Sequence, residues 1–419
     1  MSRLEELIAE LCPDGVEYKT LGEIAVDVYR GSGITRDQVT PIGKPCVRYG
    51  EIYTTYGIWF KECVSFTNEA TITNKKYFEY GDILFAITGE SVEEIAKSCA
   101  YIGHEKCLAG GDIVVLKHNQ DPRYLSYVLS TTDAQKQKSK GKVKSKVVHS
   151  SVPAIGSIRI PLPPLPVQRE IVRILDNFAE LTAELTTELT ARKKQYEYYR
   201  NHLLTFSDDV PMVTLGEISI KTYSGGTPLA NHAEYYGGDI PWLRTQEVRF
   251  VDIFDTEMRI TPAALKNSAA KWIPENCVII AISGATAGRF AINKIPLTTN
   301  QHCCCLEINP QKANYRYVFH WVNSQYEKLK ALGQGARSDL NSGIIKSYPI
   351  PIPSLEEQER IVAILDRFDA LCNDLTSGLP AEIEARRKQY EYYRDKLLTF
   401  PARPACPSGR RAGGKEATA

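Results

Sequence analysis

Short runs of apolar and β-branched residues, DILFAI from Asp82, DIVVLK from Asp112, CVIIAIS from Cys277 and HCCCLEI from His302, are separated by glycine, proline and asparagine. Runs of this length, bounded by turn residues, predict strands in globular domains that also hold a few helices. They occupy residues 1–160 and 207–350. The texture then changes. Within residues 161–206, Ile171, Ile174, Phe178, Leu181, Leu185 and Leu189 recur at spacings of three and four, continued by Tyr196, Tyr199 and Leu203. Within residues 351–400, Ile361, Ile364, Leu365, Phe368, Leu371 and Leu375 do the same. Both patterns predict long amphipathic helices. Pro166 suits the first helical position of one, and Ser354 with Glu357 forms the capping-box pattern at the start of the other.

The two halves are copies. ARKKQYEYYRNHLLTF at 191–206 returns as ARRKQYEYYRDKLLTF at 385–400, and TLGEIA at 20–25 returns as TLGEIS at 214–219. PCVRYGEI from Pro45 aligns with PWLRTQEV from Pro241, DILFAITG from Asp82 with CVIIAISG from Cys277, and IPLPPLPVQREIVRILDNF from Ile160 with IPIPSLEEQERIVAILDRF from Ile350. The blocks keep their order, so this is a tandem duplication. Each helical seam needs a partner, and the obvious one is the other copy. The expected fold is α+β: two strand-rich globular domains, each followed by a long helix, with the two helices forming an antiparallel coiled coil. A helix over 166–206 would be roughly 60 Å long. The copies differ in length. Asp176 to Gln195 is 19 steps and Asp366 to Gln389 is 23, with Gly378 and Pro380 in the extra stretch predicting a break in the second helix. The first helix instead carries a four-residue period, LTAE LTTE LTAR, at 181–192.

Composition adds little until it is localised. The chain has 419 residues and a formal net charge of +1, which argues neither for nor against nucleic acid. KQKSKGKVKSK at 136–146 places six lysines in strict alternation with no acid among them, a local basic footprint. No apolar run approaches the roughly 20 residues needed to span a bilayer, and the charged start MSRLEELIAELC is unlike a signal peptide, so a cytoplasmic protein without a membrane partner is expected. The eleven cysteines include no CxxC pair. His302 beside Cys303, Cys304 and Cys305 suggests a metal site, but neighbours on a strand point to opposite faces, which favours a buried, reduced strand. GATAGR at 284–289 has neither the spacing nor the Lys-Ser/Thr ending of a phosphate loop, and NPQ at 309–311 falls short of an adenine-methyltransferase motif.

Two divergent globular domains, followed by PLPPLPVQREIVRILD or PIPSLEEQERIVAILD and then by RKKQYEYYR or RRKQYEYYR, resemble the specificity subunit of a type I restriction-modification system, of the subgroup with tetrad spacer repeats. The resemblance extends from about residue 4 to residue 400 and leaves residues 401–419 as an expected disordered tail. It implies a non-catalytic subunit that reads a bipartite double-stranded DNA site, one half per domain, and scaffolds two methylation subunits. Restriction subunits would join the full complex. This chain would bind no cofactor or metal; S-adenosylmethionine, ATP and Mg would belong to its partners. The competing readings are a self-sufficient DNA-modifying enzyme and a coiled-coil adaptor that binds only proteins.

Candidate DNA contacts follow from the residues. Lys138, Lys140, Lys142, Lys144 and Lys146 suit phosphate contact, and the alternative is one edge of a solvated, flexible loop. Arg48 and Arg244 occupy one aligned position and suit a structural or phosphate role. Their neighbours differ between the copies, Tyr49 against Thr245 and Gly50 against Gln246, and Gln246 has the amide that matches adenine. Arg30 and Tyr223 lie in the parallel glycine loops YRGSGI and YSGGTP. Arg337, followed by Ser338, would contact either guanine or phosphate. For partner docking, the repeated helix ends offer Arg192, Lys193, Tyr196 and Tyr199 in one copy and Arg386, Arg387, Tyr390 and Tyr393 in the other. Plain seam packing is the alternative for the tyrosines.

Overall fold

The computed structural model describes residues 2–140, 142, 147–333, 339–374 and 377–404. The chain forms two compact units that cut across the linear order: Met1–Ala183 with Ala385–Ala419, and Glu184–Glu384. Each unit therefore contains one globular domain plus helix from both copies.

In the first unit the main sheet has the strand order Ala25–Arg30, Ile113–His118, Ile83–Ala86, Ser98–Tyr101, Trp59–Phe60. All neighbours are antiparallel except the last pair, which is parallel. The second unit repeats this topology with Ser219–Tyr223, Cys303–Ile308, Val278–Ala281, Phe290–Asn293 and Asp252–Ile253. The middle strands are apolar throughout because both faces are covered. Ile83 and Phe85 enter one core cluster, and Leu84 and Ala86 another. Val278 and Ile280 divide from Ile279 and Ala281 in the same way. Cys304 faces one cluster while Cys303 and Cys305 face the other, and all three are free, buried thiols. Burial pushes the Cys303 thiol up to about 12 and Cys304 to about 11. No metal-holding group of residues occurs among the described residues.

The repeated TLGEI motifs form full capping boxes. Glu23 accepts from the Thr20 N–H at 2.6 Å, and Glu217 from the Thr214 N–H at 2.7 Å. Ser354 forms only half of its box. Its hydroxyl accepts from the Glu357 N–H at 3.2 Å, while the Glu357 carboxylate turns to Arg360.

The central helix runs Leu165–Leu203, 39 residues, three short of the predicted end at 206. The distal one is broken as predicted, into Leu355–Asn373 and Leu379–Leu397. Gly378 sits at the break, where a Cβ would fall 2.5 Å from the Ala370 carbonyl oxygen, so a side chain does not fit. In the first unit Phe178 of the central helix stacks on Tyr393 of the distal one, with centroids 5.6 Å apart. In the second unit their counterparts Phe368 and Tyr199 stack at 5.4 Å. Early central helix thus meets late distal helix and the reverse, the order that antiparallel pairing requires. The predicted seam omitted Val172 and Leu175, which are buried, and included Leu181, which is exposed. Leu375 lies outside the described residues.

The beginning of the expected tail is ordered. The Pro401 carbonyl accepts from the Val16 N–H at 2.9 Å, and the Arg403 N–H donates to the Val16 carbonyl at 3.0 Å. Residues 405–419 lie outside the described residues.

Candidate nucleic-acid interface

In each domain three loops converge where the backbone crosses itself at a glycine. A Cβ on Gly31 would lie 2.1 Å from the Gly110 carbonyl oxygen, and one on Gly225 would lie 1.8 Å from that of Thr299. These crossings are pinned by Ser32 N–H to the Ala109 carbonyl and Gly226 N–H to the Thr299 carbonyl, both 2.9 Å. Only glycine permits so close an approach. Residues 30–36, 48–54 and 110–112 are thereby gathered in the first domain, and 224–228, 244–249 and 300–302 in the second. In the first they line an open cleft of about 530 Å³ whose walls include Ile34, Arg36, Arg48, Tyr49, Thr54 and Asp112.

The aligned arginines are held differently. Arg48 Nε donates to Glu51 at 3.2 Å, and Glu51 also accepts from the Ser65 hydroxyl at 2.7 Å. Arg244 Nη2 reaches Glu257 at 2.9 Å, Nε lies 3.6 Å from Glu247, and with its amide correctly oriented the Gln246 oxygen accepts from Nη2 at 2.7 Å. Gln246 is exposed, yet its oxygen is committed to Arg244. The bidentate adenine pairing expected of it therefore requires that bond to break; as placed, Gln246 offers only its amino group. Tyr49 is exposed at the start of helix Tyr49–Thr54, and Thr245 is half-buried in the turn Thr245–Glu247.

Two other candidates are occupied. Arg30 Nε donates to the Gly111 carbonyl at 2.6 Å and Nη2 to Asp112 at 2.5 Å, so it staples a cleft loop and its charge is matched. The Tyr223 hydroxyl donates to Glu307 at 2.5 Å, a bond that raises it to about 12, and its ring packs against the core. The side chains that sequence reasoning missed are Arg36, exposed in the first cleft, and Gln301 and Arg249 in the second domain. Gln301 accepts from the Thr227 hydroxyl at 2.6 Å, and Arg249 Nε donates to the Gln246 carbonyl at 2.8 Å. They were illegible because the loops come together only in three dimensions.

The lysine run needs a correction. Residues Thr132–Ser139 are helical, and at about 100° per residue alternate positions fall on opposite sides. Lys140 is exposed and Lys142 half-buried, but Lys138 points inward. Its amine donates to the Leu129 carbonyl at 2.8 Å and the Ser98 hydroxyl at 3.3 Å, so it cannot touch DNA. Lys144, Lys146, Arg337 and Ser338 lie outside the described residues.

The helix ends also sort differently from expectation. Tyr196 is buried in its own unit, where the Asn323 amide donates to its hydroxyl at 3.2 Å and His320 Nδ1 lies at 3.4 Å. Tyr390 packs against the first unit's core, and Tyr199 and Tyr393 take part in the stacks above. These tyrosines hold the fold together. Arg192 bonds to Gln195 and Glu188, Arg386 to Gln389 and Arg387 to Glu391, while Lys193 is exposed. The most exposed aromatics of these helix ends are Tyr198, 65% exposed, and its counterpart Tyr392, 61% exposed. Their signal was present in the sequence: they are identical in both copies but fall between the seam positions, Tyr198 between Tyr196 and Tyr199.

The model of the type I restriction modification DNA specificity domain matches twice, over residues 13–192 and 207–385. The chain belongs to that family. The type I restriction enzyme EcoR124I/EcoR124II specificity subunit of Escherichia coli is 42% identical over 257 residues, 58% of this chain and 63% of that protein. The type I restriction enzyme MjaIX specificity subunit of Methanocaldococcus jannaschii is 32% identical over 184 residues, 42% of this chain and 38% of that protein. The matched stretches thus span less than two thirds of either relative. Among solved structures, one on complex assembly and conformational transition of the type I R-M system superposes with a TM-score of 0.61 at 18% identity, covering 92% of this chain and 98% of that one. The type I restriction-modification S subunit of M. genitalium gives 0.54 at 14% identity, covering 92% and 96%. These two share the fold. Each match to the family model takes in one globular domain and most of its helix, so the duplication is a pair of specificity domains.

Proposed function

We propose that this specificity protein reads a bipartite double-stranded DNA site, one half at each loop cluster, and holds two methylation subunits on its repeated helix faces. One contrast carries the reading. The loop clusters are built alike, around Gly31 and Gly225, yet carry different residues, with Tyr49 against Thr245, Gly50 against Gln246 and Gly111 against Gln301. The exposed helix tyrosines are the same in both copies. Different readers suit an asymmetric DNA site, and identical surfaces suit two copies of one partner.

On this reading the chain is non-catalytic. Methyl transfer from S-adenosylmethionine belongs to the methylation subunits, and ATP- and Mg-dependent translocation and cleavage to restriction subunits. No helix among the described residues is long and apolar enough to cross a membrane, and a DNA partner accords with the cytoplasm. The test is to co-express the chain with its methylation subunit and map methylated adenines, then repeat with Thr245→Ala and Gln246→Ala. Two half-sites separated by an unspecified gap are expected, with only one of them relaxed in the variants. A single continuous motif, or methylation by the chain alone, refutes the proposal.

A further inference from the structure

In each unit one helix aspartate gathers side chains from the globular domain. Asp176 of the central helix takes Arg123 Nη1 at 2.6 Å, the Tyr127 hydroxyl at 2.7 Å and Trp59 Nε1 at 3.3 Å. Asp366 of the distal helix takes Arg316 Nη2 at 2.6 Å and Nε at 3.0 Å, and lies 2.7 Å from His320 Nε2. Arg316 also reaches Asp252 at 2.9 Å and Asp369 at 3.5 Å.

The donors come from matching places. Arg123 and Arg316 are each the second residue of their helices, Pro122–Leu129 and Tyr315–Ser324, and Tyr127 and His320 follow four residues later. Trp59 pairs with Ala100 and Asp252 with Ile292 at the same register of the closing parallel strand. Between the copies the neighbours have changed, from tyrosine to histidine and from tryptophan to aspartate. The arginine and the helix aspartate have not.

The placement gives this pair mechanical leverage. Each domain is joined covalently to its helix just after the strands Arg159–Pro161 and Pro349–Pro351, where the helices begin at Leu165 and Leu355. Asp176 and Asp366 both lie eleven residues further on, about 16 Å along the helix. Between joint and aspartate, Val167, Ile171, Val172 and Leu175 pack into the first domain's core and Ile361 and Leu365 into the second's, but apolar packing is non-directional and sets the angle of a domain only loosely. A charge-assisted attachment about 16 Å from the joint adds direction to that packing, because short arginine–carboxylate bonds tolerate little displacement. The Arg316 side chain is only 13% exposed, so solvent screens its bond weakly. Burial opposes the Asp366 charge, but the bonds from His320 and Arg316 outweigh it and hold the carboxyl below its ordinary range.

We infer that Arg123 and Arg316 are positioning residues: through Asp176 and Asp366 they fix the tilt of each recognition domain on the helix that carries it, and so set the spacing at which two half-sites are accepted. The inference rests on the bipartite reading above. Its test uses the complete chain assembled with its methylation subunits and compares Arg123→Ala, Arg123→Lys and Tyr127→Phe by methylation mapping. For Arg123→Ala the same two half-sites are expected, with sites whose gap is one base pair shorter or longer gaining at least tenfold relative to the original gap. Arg123→Lys keeps the charge and should return the distribution toward the original gap, whereas a role in folding alone predicts less methylation in Arg123→Ala at an unshifted gap. An unchanged gap distribution, or altered bases within a half-site, overturns the inference. Should Arg123→Ala fail to accumulate, the isosteric Tyr127→Phe decides by the same two outcomes. Failure of the wild-type complex to show two half-sites would instead overturn the function proposed above.

Discussion

Lys138 allows the electrostatics of the first unit to be tested quantitatively. Its amine is buried with no carboxylate bonded to it, and burial drives it down from 10.5 to about 7. A lysine whose folded value is depressed costs stability wherever it must hold its proton. That cost is full below about pH 7 and fades as pH rises toward the ordinary value. At about 1.4 kcal/mol per tenfold change in proton affinity, the cost is about 5 kcal/mol at pH 6 and about 2 kcal/mol at pH 9. Lys138→Met removes it but leaves the Leu129 carbonyl and Ser98 hydroxyl without that donor, at about 1 kcal/mol each. The variant should therefore be more stable by about 3 kcal/mol at pH 6 and nearly equal to wild type at pH 9. Urea unfolding at both pH values measures this, in a background where Trp242, Trp272 and Trp321 are phenylalanine so that Trp59 reports on the first unit. A variant less stable at pH 6, or a difference independent of pH, would show that the amine carries no such cost.

Replacing Lys140 and Lys142 with alanine should reduce the salt slope of DNA binding by as much as about 2 without changing the preferred sequence; an unchanged slope in anisotropy titrations assigns both to solvated surface. Tyr198→Ala and Tyr392→Ala should each weaken one methylation-subunit site by about 2 kcal/mol, and together prevent assembly on a sizing column, while full assembly of the double variant removes them from the interface. Inserting a further LTAE tetrad after Glu188 adds about 6 Å of helix and about 40° of rotation, so methylation mapping should return the same half-sites with a gap longer by one or two base pairs. One inserted residue turns the seam by about 100° and should damage assembly; an unchanged gap with full activity in the tetrad variant means that this helix does not set the spacing.

What the sequence revealed depended on how far apart the cooperating residues lie. The duplication, the buried middle strands and the break at Gly378 are local patterns, and each was legible. Lys138 misled because strict alternation reads as one continuous basic edge, whereas helix Thr132–Ser139 turns alternate residues inward and outward. Tyr196 misled because the helix face it shares with the seam is the one that packs on the globular domain. Arg36 and Gln301, and the aspartates that receive Arg123 and Arg316, were invisible because their partners are tens of residues away and meet only once the sheets have formed.

The division of the chain into units has a consequence for its synthesis. The first unit is made of Met1–Ala183 and of residues that begin again at Ala385, with about 200 residues of the other unit between. Phe178 finds Tyr393, and the core that includes Leu4 and Leu21 takes in Leu398 and Phe400, only after those last residues have left the ribosome. At about 5–20 residues per second the first domain must wait roughly 10–40 s, with that side of its core still uncovered. The second unit needs nothing made after Glu384, and so completes its own set of residues first although it begins second. A chain interrupted near residue 206 would leave the first domain without its closing helix, so nascent first domains are the stage at which this protein most needs protection from aggregation.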